Sequence, residues 1–425
     1  MEYRDPTIGT VLSPEYSLDM SGVSRSLLMR NSTVGHRTRV DAILGVATIG
    51  RGNEKHSTTF SDLGIKNFTD GQVGPSSANA VIMLLNSRKR ETETTGQQFL
   101  SLIRHKDLLL CGVNSLAIYL HCRWEINGEA FPNLADGRDT WYDIQVFAHS
   151  GRGSDKKKQL SYSATYDQVQ SVFKEQKHEA NSANHFFRKL AIDQISINGQ
   201  GHLDKGEERR LSGHNLDEHD GVYALNVPLS AVMVQAGFSA TDWQSSYFLA
   251  RAPDSREQIP QEFLNDIGFY SKANEWLKFV SENPAEVLAD GLPICGASVQ
   301  FASLSCELAR VLLQDALELR KLAPDLDLFR FPPFNKEAFH RWSLERAGSS
   351  APETNERLLA ASASLSSPIK KSLLALSDRL DSKLDRLAEL IEGSGDAPRR
   401  RLAASVTVPA GPIDGSLAGT PSTAH

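Results

Sequence analysis

Six side chains, taken in chain order, have the types that phosphate chemistry needs: Arg51, Lys89, His185, Arg188, His214 and Tyr223. A tyrosine hydroxyl, with an ordinary pKa of about 10, is a weak nucleophile at neutral pH. It can attack a phosphodiester when fixed cations hold the charge of the phosphorane and an acid protonates the leaving oxygen. Two guanidinium groups suit the first task, because each grips two phosphate oxygens in one plane. A lysine or histidine suits the second. His185 and Arg188 lie three positions apart in HFFRK, so on a helix both project from one face. His214 belongs to SGHN, and Tyr223 ends the acidic, turn-rich stretch GHNLDEHDGVY. Arg51 stands in IGRGNE, one turn before Glu54, and Lys89 lies between Arg88 and Arg90 in SRKRE. Each residue alone has a plainer reading. Arg51 could cap a helix, Lys89 could simply be exposed in a turn, His185 could be a satisfied core histidine beside Phe186 and Phe187, and His214 and Tyr223 could only shape a loop. All six in this order are more specific than any one of them.

The elements that must position these residues are mostly helical. VDAILGVATIG sets Val40, Ile43, Leu44 and Ala47 at helical spacing, which predicts a buried helix ahead of Arg51. Two strands, about 80–90 and 97–104, are expected to form a hairpin through a polar turn at Thr94-Thr95-Gly96, with SRKRE at its tip. GVNSLAIYLHCRWEI resumes a helical period. ATYDQVQSVFKEQKHEA predicts an amphipathic helix with Val169, Val172 and Phe173 on its apolar face, and HFFRKLAIDQISI predicts another. Residues 256–345 read as helical until RFPPF interrupts them. The fold class is therefore mainly α with a small antiparallel sheet.

Composition narrows the function classes. The chain has 425 residues, 40% of them apolar and 23% charged, as in ordinary globular proteins. Its longest apolar runs, such as AVIMLL, are too short to span a bilayer, so no membrane partner is expected. MEYRDPTIGT lacks an apolar leader segment. Cys111, Cys122, Cys295 and Cys306 show no zinc-ligand spacing, which suggests free thiols and no metal. A net charge of −6 argues mildly against nucleic acid, yet residues 147–215 carry 11 Lys and Arg against 8 Asp and Glu. Lys156-Lys157-Lys158, Arg209-Arg210, Arg88 and Arg90 are the candidate contacts to a DNA backbone. A solvated loop is the plain alternative for the lysine run.

Residues 1–35 read as a flexible lead-in, and 346–368 as a linker. In 369–392, Leu373, Leu376, Leu380, Leu384, Leu387 and Ile391 are spaced 3, 4, 4, 3 and 4 apart, an eleven-residue repeat. That segment could self-associate as a short coiled coil, bind a partner protein, or dock alone as an amphipathic helix. Residues 393–425, rich in Gly, Pro, Ser and Ala, are expected to be disordered.

The order HxxR, then a GH pair, then tyrosine resembles the catalytic domain of tyrosine recombinases. The stretches Arg51-Gly52-Asn53-Glu54, IRHKDLLLCGVNSLAIYL, TWYDI, YALNVP, AGF, YFLARA and LLQDALELRKLAPDL resemble its fungal branch. Crypton-type mobile-element recombinases share that branch with domain II of the kinetochore's centromere-binding NDC-ten subunit. The resemblance covers roughly residues 35–345. It implies a tyrosine-recombinase-like DNA-binding domain over 36–252, with a helical extension over 253–345. It further implies that Arg51 and Arg188 clamp the scissile phosphate and that Lys89 protonates the leaving 5′ oxygen. His185 and His214 would assist, and Tyr223 would form a 3′-phosphotyrosyl link, with no metal or other cofactor. The centromere-binding relatives use the scaffold to bind DNA without cutting it. The expected function is therefore binding to double-stranded DNA in the nucleus, with strand transfer as the alternative.

Overall fold

The computed structural model describes residues 19–50, 52–68, 78–85, 99–136, 138–150, 153–176, 183–199, 227–239, 247–252, 259–283 and 296–346, together with 203, 206–207 and 211. By contacts the chain divides into Met1–Ala361 and Ser362–His425, and every described residue belongs to the first unit. The sequence-derived linker, the 369–392 helix and the tail lie outside the described residues.

Helix α1 (Met20–Met29) and helix α2 (Thr33–Ala47) open the structure, α2 beginning where the Ser32 hydroxyl accepts the Gly35 N–H. The expected flexible lead-in is thus corrected from residue 20 onward. Three serines and a glycine hide the helix in MSGVSRSLLM, and burial of Met20, Val23, Leu27 and Leu28 supplies what propensity does not. After the short α3 (Gly52–His56) come β1 (Leu63–Asn67), β2 (Asn79–Leu84) and β3 (Phe99–Leu102), an antiparallel sheet in that order. Leu63 pairs with Met83, and Val81 with Leu102. The predicted hairpin strands are therefore present but shorter than expected, and β1 adds an edge strand that the sequence pattern did not signal. Gln300 lies against that edge and its side-chain oxygen accepts the Ile65 N–H at 3.1 Å.

Helix α4 (Gly112–His121) widens into a π turn over Cys122–Ile126. A short α5 (Arg138–Trp141), which no periodicity signalled, is followed by α6 (Tyr162–Glu175) and α7 (Ala183–Gly199) where periodicity placed helices. The chain continues through α8 (Leu229–Gln235), α9 (Gln261–Asn265), α10 (Gly268–Glu282) and α11 (Gly296–Leu322). A cis Pro332–Pro333 bond then precedes a last helical stretch over 337–346.

Helix α11 packs on α10, α4 and β1 and anchors the main core. Its Phe301 stacks on Phe60, while Trp124 meets Phe131 edge-on. A second cluster joins α1, α2, α6 and α7 through Val23, Ala42, Val172, Phe173 and Phe187. A third, smaller cluster gathers Ile49, Ala80, Ile103, Ala191, Ile195, Leu211, Val227 and Ala231. No helix of the described residues is long and apolar enough to cross a membrane.

Candidate functional site

The third cluster is built around a strained turn. Helix α2 ends as the Thr48 hydroxyl donates to the Leu44 carbonyl, and Ile49 then adopts φ 55°. A β-branched residue in the left-handed region is sterically disfavoured, by about 1–3 kcal/mol. The surroundings hold it there. The Ile49 side chain is fully buried, and its carbonyl accepts the Arg188 guanidinium Nη1 at 3.0 Å. Arg188 is itself buried, with 8% of its surface exposed. It reaches the turn because α7 packs closely on α2: a Cβ at Gly45 would stand 2.9 Å from the Phe187 Cβ.

Two residues beyond Ile49 the chain reaches position 51, and α3 follows at once. Lys55 and His56 both turn back to Asp41 of α2, with Lys55 Nζ and His56 Nε2 each 2.9 Å from Asp41 Oδ1. Lys55 also donates to the Asp41 carbonyl at 2.7 Å, and the Phe147 ring packs edge-on against His56. All three side chains are sealed from solvent. Burial alone would raise the Asp41 carboxyl pKa, but the charges of Lys55 and then His56 overcome it and hold the group well below the usual carboxylate range.

Of the six residues singled out by their chemistry, the structure describes Arg188 in full and His185 by its backbone on α7, three residues ahead of Arg188. Arg51, Lys89, His214 and Tyr223 lie outside the described residues, as do Arg88, Arg90, Arg209 and Arg210. Their described flanks nevertheless meet. Ile49 and Gly50 precede Arg51. Strands β2 and β3, on either side of Lys89, send Ala80, Ile82 and Phe99 to the third cluster, and Ile103 just after β3 joins them. Leu211 precedes His214 and Val227 follows Tyr223, and both are buried in that same cluster with Ala191 and Ile195 of α7. Gln235 of α8 fastens the arrangement by donating to the Ala191 carbonyl at 2.9 Å.

The lysine run divides. Lys156 turns inward, donating to the His149 carbonyl at 2.6 Å and standing 3.7 Å from Glu129. Glu129 in turn pairs with the buried Arg123, whose Nη1 also donates to the carbonyls of Gln145 and Val146. Lys156 thereby braces the loop at the edge of an open cleft of about 400 Å³ lined by Tyr119, Arg123, Asn127 and His149. Lys157 and Lys158 are exposed at the end of that loop.

A further charged cluster escaped the sequence reading. Asp315 of α11, with no exposed surface, takes Arg104, Arg251 Nε at 2.8 Å and Asn114 Nδ2 at 2.9 Å. Arg251 also donates to the carbonyls of His105 and Lys106, so YFLARA is tied to IRHKD. The signal was a charge set among apolar residues, at Arg251 in YFLARA and Asp315 in LLQDALEL. The described residues include no His, Cys, Asp or Glu cluster suited to a metal ion. Cys111 and Cys122 are buried thiols, and burial, followed by the nearby Glu307, pushes the Cys306 thiol up to about 12, so it stays protonated at neutral pH.

The model of the family described as centromere DNA-binding protein complex CBF3 subunit, domain 2, matches residues 19–340. The match begins at the residue that precedes α1 and ends within the last helical stretch. No curated protein matches the chain.

Proposed function

Because this chain belongs to the family of the centromere DNA-binding protein complex CBF3 subunit, domain 2, we propose that it binds duplex DNA through the phosphate backbone. The scaffold in this reading is that of a tyrosine recombinase, and the protein works in the nucleus. The observation that carries the proposal is the convergence of flanks. Segments holding Arg51, Lys89, Arg188, His214 and Tyr223 all leave from, or return to, one small apolar cluster. Cationic and hydroxyl groups spread over about 170 residues of sequence then have a common place to meet a phosphate. Arg88, Arg90, Lys157, Lys158, Arg209 and Arg210 extend the grip along the duplex, while Lys156 steadies its loop.

Backbone recognition has a measurable signature, because each neutralised phosphate releases counterions. The logarithm of affinity falls with the logarithm of salt concentration, by about 0.9 for each phosphate contact on duplex DNA. Titrating a short duplex between low and physiological salt should give a steep slope. Arg51→Ala and Lys158→Ala should each flatten it by about one contact. No binding at low salt would overturn the proposal.

The same convergence favours a second reading, strand transfer through a 3′-phosphotyrosyl intermediate. A duplex nicked beside the cleavage point would trap a covalent adduct with the wild type. Tyr223→Phe would abolish that adduct and leave binding intact. Self-association or partner binding is assigned to residues 369–392 on the strength of their eleven-residue apolar repeat.

A further inference from the structure

We propose that the buried Asp41–Lys55–His56 cluster, together with the Arg188-held turn at Ile49, is a positioning device for Arg51; the proposal rests on the phosphate-binding reading above. Arg51 sits between Gly50 and Gly52. Two flanking glycines leave a backbone with the widest conformational choice of any sequence, so the chain itself does not aim the arginine. Something outside the segment must.

Two fastenings do so. On the N-terminal side, Ile49 is locked at φ 55° with its carbonyl bonded to Arg188. On the C-terminal side, Lys55 and His56 converge on one Asp41 oxygen, and Lys55 adds the bond to the Asp41 carbonyl. Three polar contacts from two side chains to a single residue of α2 fix both the distance and the rotation of α3. Lys55 passes beside Gly45 to reach Asp41, since a Cβ there would stand 3.1 Å from its Nζ. Ion pairs withdrawn from water contribute little net stability compared with apolar side chains of the same volume. What the cluster supplies is direction. Asp41 is thus a positioning residue, acting on phosphate through the backbone beside Arg51.

The test compares Asp41→Asn with an apolar replacement, Asp41→Leu/Lys55→Met/His56→Phe, which guards against loss of folding from a stranded charge. In hydrogen exchange on the full chain, peptides covering 48–56 should exchange about tenfold faster in either variant, while those from α11 stay unchanged. On duplex DNA, Asp41→Asn and Arg51→Ala should each weaken binding about tenfold. Their combination should be no weaker than Arg51→Ala alone, whereas Lys158→Ala should add its effect in full to Arg51→Ala. A folded apolar variant with wild-type exchange over 48–56 would overturn the proposal, as would additive effects of Asp41→Asn and Arg51→Ala. Faster exchange confined to 48–56, in a protein whose wild type does not bind DNA, would remove the reading of function and leave the brace standing.

Discussion

The α4–α11 body and the small cluster beside α7 hold buried arginines through different described contacts. In the body, Arg104 and Arg251 face a carboxylate, Asp315, which also takes an amide from Asn114. Large aromatic rings pack around that body, among them Phe60, Trp124, Phe131, Trp141 and Phe301. In the small cluster, Arg188 gives an N–H to a backbone carbonyl in a strained turn, and the packing comes largely from alanines and short aliphatic side chains. The first arrangement neutralises charge and fills volume. The second holds a shape.

This contrast is sharpest in mutational cost. Asp315→Ala strands two arginines in the dry core and should cost about 3–5 kcal/mol, read as a lowered urea midpoint or as loss of folded protein. A cost below about 1 kcal/mol would erase the distinction between the regions.

Acid should strike the body next. Burial drives the pKa of His121 down to about 3, with His36 as a further cause, and His121 lies among Phe269, Phe331 and Phe334. Burial and then the charge of Arg39 do the same to His36. Both histidines take up protons in the unfolded chain below about pH 6.5 and refuse them when folded. Their contribution is therefore complete above that pH and falls as pH drops toward 3. From pH 7 to 5 the pair should lose about 3–4 kcal/mol of stability. Urea titrations at the two pH values measure the loss, and His121→Leu should remove close to half of it. Asp41, held low by its partners, shifts the balance in the same direction below about pH 4.

Arg188→Met should cost less, about 1.5–3 kcal/mol, the range for hydrogen bonds made by charged groups. A cost equal to that of Asp315→Ala would place both arginines in one class. The smallest effect belongs to the surface. Arg30 pairs with Glu175 at 2.6 Å, and Glu175 is half exposed. Glu175→Gln should cost about 0.2–1 kcal/mol, with most of the difference gone at high salt.

Periodicity made α2, α4, α6 and α7 readable, down to Val169, Val172 and Phe173 facing inward. Long, regularly spaced apolar residues report a face whatever the tertiary partners. Helix α1 and strand β1 were not readable for the complementary reason: each is short, carries glycine or serine, and persists through what packs on it. Arg188 was singled out by its spacing from His185, yet its bond to Ile49 joins residues 139 apart in sequence. The Asp315 cluster spans still longer separations, and no local pattern encodes such a meeting. Lys156 illustrates the limit from the other side. A run of three lysines promises three solvated charges, and the His149 carbonyl, with Glu129 near it, holds one of them inward.

The amide of Gln300 on β1 carries a consequence for how this molecule meets others. An open strand margin is an invitation to any extended peptide, and here a side chain from α11 occupies a donor that such a peptide would need. The fit is tight at Gly64, where a Cβ would lie 3.0 Å from the Gln300 oxygen. Gln300→Ala would remove that plug and turn a closed border into an adhesive one. Concentrated solutions of such a variant would grow turbid while the helical core stayed intact.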